Sequence, residues 1–229
     1  MKITKKLNKG KVKLTKQNIN NGNIRKFISS IEGSDKVLTD CELKKERKKI
    51  ISDSEIMNDF YIFAYGSLLW NPTISFEKQL IGKIYGYHRT FCMITKLGRG
   101  SFKNPGLMLG LDKGGSCSGV LFKLRAKTAI KNIDLLFKRE MVTRAYVPKL
   151  LNAIDTDGKK VKALTFTVDR KHKNYLKEKS YIKKIEMIKS ASGFLGSCKE
   201  YLINTSNSLD ELDIFDKEIK NLMNLLFLK

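Results

Sequence analysis

The reading of this chain turns on one stretch, Phe60-Tyr61-Ile62-Phe63-Ala64-Tyr65-Gly66-Ser67-Leu68-Leu69-Trp70. A short apolar and aromatic run that stops at a glycine predicts a buried strand meeting a tight turn. A strand ending in Gly-Ser can present its backbone N–H groups outward, and Ser67 adds a hydroxyl donor. Residues 66–68 are therefore a candidate cradle for a carboxylate or an oxyanion. An ordinary strand-to-loop turn carries the same local pattern. The stretch is not a Gly-x-Ser-x-Gly elbow, and the histidines His88 and His172 lack any triad context.

Working outward, residues 80–87 and 89–95 read as two further strands. Residues 107–111 and 118–124 read as two more, with Asp112-Lys113-Gly114-Gly115 as a turn between them. Residues 126–141 have a helical pattern. Residues 144–154 and 161–168 are extended, with Asp155-Thr156-Asp157-Gly158 turning between them. The last third, residues 181–228, is mainly helical with a break at residues 193–196. At the other end, residues 1–22 read as loosely structured. Thr39-Asp40-Cys41-Glu42 is a capping box that opens a helix over residues 40–52. The expectation is an α+β protein: a small mixed or antiparallel β-barrel, flanking helices and a helical C-terminal part. Residues 1–58 form a basic N-terminal extension with one or two helices, and residues 59–229 form the main domain.

One acidic residue stands out on the central helix. Ile130, Ile133 and Phe137 make an apolar stripe at three- and four-residue spacing, and Glu140 continues it. An acid on a core-facing stripe is uncommon unless it is paired or used. Burial would raise its pKa and suit it to act as a base near neutral pH. The bland alternatives are a pair with Arg139, Arg144 or Arg89, or emergence at a frayed helix end.

The chain has 229 residues, 45 Lys and Arg against 23 Asp and Glu, and a formal net charge of +22. The excess is spread, with +8 over residues 1–57 and +14 over residues 58–229. Only residues 1–26, with nine Lys or Arg and no acid, are purely basic. Phosphate recognition favours Arg forks with interleaved aromatics, and neither clusters here. The charge is read as solvated surface lysine, so no specific nucleic-acid partner is expected. No run of about 18 apolar residues exists, and no membrane association is expected. Cys41, Cys92, Cys117 and Cys198 are scattered without a Cys-x-x-Cys pair. Most of them read as buried small hydrophobes of a cytoplasmic protein, and neither a metal site nor disulfides are implied. No cofactor is called for.

Several segments, in order, together resemble one family, the ChaC family of glutathione-specific γ-glutamylcyclotransferases. Residues 63–72 (FAYGSLLWNP) resemble its substrate loop and residues 86–91 (GYHRTF) its following strand. Residues 104–111 and 114–120 resemble its central hairpin. Arg139-Glu140-Met141 with Tyr146-Val147-Pro148 resembles its catalytic segment. Residues 166–172, 193–196 and 200–202 resemble its C-terminal part. Ala64 stands where the family usually has glycine. The resemblance implies a metal-free lyase that closes the γ-glutamyl group of glutathione into 5-oxoproline and releases cysteinylglycine, with Glu140 as general acid and base. It implies substrate contacts from Ala64, Tyr65, Gly66, Ser67, Leu68 and Leu69. Tyr146 would help to position the group, and Arg89 would either hold a carboxylate or support its strand. The partner is then a small peptide and the protein is expected to be a monomer. A basic nucleic-acid-associated protein and a non-catalytic relative that only binds γ-glutamyl ligands are the competing readings.

Overall fold

A computed structural model of the chain describes residues 13–33, 37–56 and 59–228. Its centre is a closed five-stranded barrel in the order β1 (Phe60–Ala64), β3 (Gly106–Leu124), β2 (Lys78–Thr95), β4 (Tyr146–Asp155), β5 (Lys160–Val168). Closure comes from β5, which returns to lie parallel to β1, with Tyr61 opposite Ala163 and Ile62 opposite Leu164. The other neighbours in that order are antiparallel, and β3 also meets β5 in parallel where Leu111 lies opposite Thr167.

Strand β1 explains its own sequence. Its residues are buried on both faces. Tyr61 and Phe63 enter one core cluster, while Phe60, Ile62 and Ala64 enter another. Period-two alternation with two dry faces requires an unbroken apolar run, and each fully buried large side chain contributes about 1.5–3 kcal/mol.

The long ribbon of β2 and β3 corrects the expectation for residues 112–115. The strands pair from Lys78 opposite Lys123 to Thr95 opposite Gly106 without a hairpin turn inside β3. Gly114 and Gly115, at φ of +106° and +69°, instead make an irregularity opposite Gly86 (φ +81°), where the register shifts between Tyr85 and Tyr87. The two expected strands on each side of this point are one continuous strand each. A bulge of this kind bends and twists a ribbon, which a small barrel needs in order to close.

Residues 13–56 also differ from expectation. Residues 1–12 lie outside the described residues, but the next stretch is helical: α1 (Lys16–Asn20), α2 (Asn23–Glu32), α3 (Asp40–Ile50) and α4 (Asp53–Ile56). The capping box of α3 is present, with Glu42 N–H donating to Thr39 Oγ1 (3.3 Å) and Thr39 N–H donating to Glu42 Oε2 (2.8 Å). Ile19, Ile24, Leu38, Leu43, Ile51 and Ile56 join the core built on Phe60, Ile62 and Phe137. Helix α5 (Ala126–Glu140) lies in that same core, burying Ile133 and Phe137 completely.

The C-terminal helices α6 (Tyr181–Ser190), α7 (Cys198–Glu211) and α8 (Lys217–Phe227) cover the opposite side of the barrel. Two buried ion pairs pin α8. Arg89 meets Asp216 at 2.7 Å, and Lys184 meets Glu218 at 2.8 Å. Between α6 and α7 a miniature hairpin, β6 (Ser192–Gly193) with β7 (Gly196–Ser197), docks on the loop that links β2 to β3. Phe194 N–H donates to Leu97 C=O (3.2 Å) and Leu195 N–H to Gly98 C=O (2.8 Å). A Cβ at position 193 would come within 2.6 Å of three backbone oxygens of that loop, so only glycine allows this approach. Among the described residues no helix is long and apolar enough to cross a membrane.

Candidate active site

The turn after β1 is closed by two backbone bonds, Leu69 N–H to Gly66 C=O (2.8 Å) and Asn71 N–H to Ser67 C=O (2.9 Å). The amides of Gly66, Ser67 and Leu68 take no part in these bonds. Glu140 is the last residue of α5, where the apolar stripe carries it inward. Its side chain is 18% exposed and lines a small pocket together with Tyr65, Gly66, Ser67, Leu68 and Tyr146. The glutamate, the turn and two of the expected tyrosines thus share one cavity.

The pairing alternative for Glu140 holds as well. Arg139 Nε lies 2.9 Å from Glu140 Oε1. The same guanidinium donates to Ser67 Oγ (2.8 Å), Thr73 Oγ1 (3.0 Å) and Asn71 C=O. Consecutive helical residues point about 100° apart, so Arg139 leaves the helix on another side and curls back over the turn. It ties Ser67 to the acid. Burial raises the Glu140 pKa above the ordinary glutamate value, and the adjacent Arg139 charge pulls it back part of the way.

Tyr65 and Tyr146 have already spent their hydroxyl protons. Tyr65 donates to Phe166 C=O (2.7 Å) and Tyr146 to Leu109 C=O (2.8 Å). Burial pushes both pKa values well above that of a free tyrosine, so they stay neutral. Toward a ligand they therefore offer oxygen lone pairs, not protons. Ser67 is complementary. Its oxygen accepts from Arg139, which leaves its O–H to donate.

Three expected contacts fall elsewhere. Arg89 is not in the cavity wall: Nε donates to Tyr65 C=O (2.5 Å), Nη2 to Ser118 C=O (2.6 Å) and Nη1 to Asp216. Of the two roles left open for it, the geometry fits support of its strand and of the turn. Ala64 is fully buried beneath the turn, and Leu69 packs against both core clusters. A residue the sequence left unassigned completes the wall. Tyr201 of α7 lines the cavity, and its hydroxyl would lie 3.2 Å from a Cβ placed on Gly66. The resemblance covers residues 200–202 but gives Tyr201 no role, because its place in the site depends on how α7 crosses the barrel.

The pocket opens into two larger hollows. One, on the Glu140 side, is walled by Leu14, Ile24 and Ile28 of the N-terminal segment and by Phe194 and Leu195 of the miniature hairpin. The other, on the Tyr201 side, is walled by Trp70, Arg99 and Glu200. A pocket with one perturbed acid, neutral hydroxyl acceptors and a donor-rich turn suits proton transfer at an amine next to a bound carboxylate.

Comparison with known proteins points the same way. The chain is 36% identical over 163 residues to the glutathione-specific γ-glutamylcyclotransferase of Escherichia coli, which covers 71% of each protein. It is 29% identical over 151 residues to the human glutathione-specific γ-glutamylcyclotransferase 1, covering 64% of this chain and 68% of the relative. The crystal structure of the yeast γ-glutamyl cyclotransferase specific to glutathione superposes with a TM-score of 0.67 at 16% identity, over 74% of this chain and 96% of the other, and so shares the fold. Residues 60–227 match the family described as ChaC-like protein, and the chain belongs to that family.

Proposed function

We propose that this protein is a glutathione-specific γ-glutamylcyclotransferase, a lyase that converts glutathione into 5-oxoproline and cysteinylglycine. The observation that carries the proposal is Glu140, a largely buried acid of raised pKa that lines one pocket with the Gly66–Ser67 turn. The γ-glutamyl α-carboxylate is received by the Ser67 hydroxyl and the turn amides. The α-ammonium is received by Glu140 and by the lone pairs of Tyr65 and Tyr146.

The chemistry then needs no water. Glu140 takes a proton from the α-ammonium, and the freed amine attacks the γ-carbonyl carbon of the same residue. The tetrahedral oxyanion collapses, the bond to the cysteine nitrogen breaks, and Glu140 returns its proton to that leaving amine; the second proton, left on the ring nitrogen by the attack, follows through Glu140, so the product is the neutral lactam and cysteinylglycine departs as the ammonium. The reacting groups belong to one residue, so holding it folded supplies much of the acceleration. Tyrosines kept neutral by burial do not compete with Glu140 for the proton.

The same reading takes a small peptide as the partner, treats the surface lysines as solvated rather than as a nucleic-acid platform, and places a monomer in the cytoplasm. The test is product analysis of the purified protein with glutathione and, separately, with γ-glutamyl-alanine. Release of 5-oxoproline and cysteinylglycine from glutathione, with little release from γ-glutamyl-alanine, is expected. No release from glutathione would refute the proposal.

A further inference from the structure

The inner cavity accounts for the γ-glutamyl half of the substrate and leaves the cysteinylglycine half, with its own carboxylate, without a receptor. We propose that Arg99, between Trp70 and Tyr201 in the outer hollow, is that receptor and reads the glycine carboxylate of glutathione; the inference rests on the cyclotransferase reading.

Five cationic side chains are buried among the described residues, and four have a close carboxylate. Arg47 has Asp53 and Asp134, Arg89 has Asp216, Arg139 has Glu140 and Lys184 has Glu218, all within 2.9 Å. Arg99, 8% exposed, is the exception. Its nearest carboxylate is Glu200 at 3.3 Å, and that side chain is 45% exposed. Nη1 also donates to Ser197 C=O at 3.1 Å, while Nε and Nη2 have no acceptor among the described residues. Burying a cation is unfavourable unless a partner compensates, so a poorly neutralised guanidinium with spare donors is built to receive an anion.

The position fits. The guanidinium carbon lies 5.5 Å from the ring centroids of both Trp70 and Tyr201, so two aromatic faces hold the fork. Tyr201 and Ser67 line both the inner cavity and this hollow, so the two spaces are continuous. Beyond the γ-amide the substrate extends by two residues, about 7 Å of chain. That reach matches a guanidinium 5.5 Å from a ring already in the cavity wall. A planar guanidinium also matches a carboxylate with two parallel hydrogen bonds, which the point charge of a lysine does not.

The experiment compares glutathione with its glycyl monoethyl ester, which lacks only the carboxylate in question. Dissociation constants are measured calorimetrically on the turnover-silent Glu140→Gln protein, and KM and kcat on the protein with Glu140 intact. Arg99→Met is expected to weaken glutathione binding and raise its KM about 10- to 100-fold, the range for a lost charge-assisted hydrogen bond. It should leave kcat within a few-fold and the ester unaffected. Glu200→Gln, which frees the fork from its weak partner, should tighten glutathione and not the ester; it serves as the reading if Arg99→Met fails to fold. Equal effects of either variant on acid and ester would show a structural role and overturn the proposal, as would no effect on glutathione. Binding of glutathione by the protein without any 5-oxoproline release would instead refute the cyclotransferase reading, and the acid-to-ester ratio of dissociation constants would still decide for or against Arg99.

Discussion

Replacing Glu140 with glutamine separates the chemistry from the scaffold. The change removes one ionisable oxygen and keeps the other. Glu140 Oε1 is the acceptor of Arg139 Nε at 2.9 Å, and a glutamine carbonyl oxygen can take the same bond. Arg139 then still holds Ser67, Thr73 and Asn71. What is lost is the acceptor of the ammonium proton. Removal of a positioned general base lowers rates by about 10²–10⁴-fold, or ~2.7–5.4 kcal/mol of activation free energy at 1.36 kcal/mol per decade. Stability falls as well, by less than the about 3–5 kcal/mol of breaking a buried pair outright, because the carboxylate's desolvation is relieved and the amide oxygen can keep the Arg139 bond. For a chain of this length each 1 kcal/mol is about 2–4 °C in thermal midpoint. The assay is 5-oxoproline release under saturating glutathione, paired with a thermal melt. A folded Glu140→Gln protein releasing 5-oxoproline at the wild-type rate would refute the assignment of the base.

Three further outcomes follow from the same geometry. Glu140 must be ionised to act and burial raises its pKa, so kcat/KM should fall as pH drops through that raised value. Arg139→Met removes the charge that opposes the rise, and the acid limb should move to higher pH; an unmoved limb in the pH profile would remove Arg139 from the site's electrostatics. Gly66→Ala places a methyl group 3.2 Å from the Tyr201 hydroxyl and should raise KM several-fold, with partial rescue in Gly66→Ala/Tyr201→Phe. Failure of the double variant to recover would mean that the two residues do not meet. Arg89→Met leaves Asp216 and two carbonyls without their buried partner and should cost about 3–5 kcal/mol in urea unfolding, against less than 1 kcal/mol if the pair were a surface one.

The parts of the site that were legible in the sequence are those written in local periodicity. An apolar run cut by Gly66 shows a strand and its turn, and the spacing of Ile130, Ile133 and Phe137 carries the eye to Glu140. What was not legible depends on distant partners. Gly114 and Gly115 supply positive φ, which a hairpin turn and a bulge both need, and only the strand opposite decides between them. Leu14, Ile19 and Ile24 sit among lysines and asparagines, and their burial exists only against the barrel and α5. Tyr201 and Arg99 become site residues because α7 and the loop after β2 meet beside Trp70, a contact with no local trace. Arg139 was visible only as a partner that would make Glu140 ordinary. The structure shows a charge placed beside a pocket acid, with both descriptions true at once.

The N-terminal segment has a consequence for how the protein is handled and compared. Asn71 Nδ2 donates to Leu14 C=O at 2.9 Å, and the Phe27 ring meets Phe194 edge-on at 4.7 Å. One wall of the hollow beside Glu140 is thus borrowed from a stretch that precedes the family match at residue 60. An alignment confined to residues 60–227 would judge two proteins equivalent while overlooking that wall. A shortened version beginning at residue 59 would lose it together with Ile19, Ile24, Leu38, Leu43, Ile51 and Ile56, which share a core with the Glu140 helix, so its behaviour would not speak for that of the whole chain.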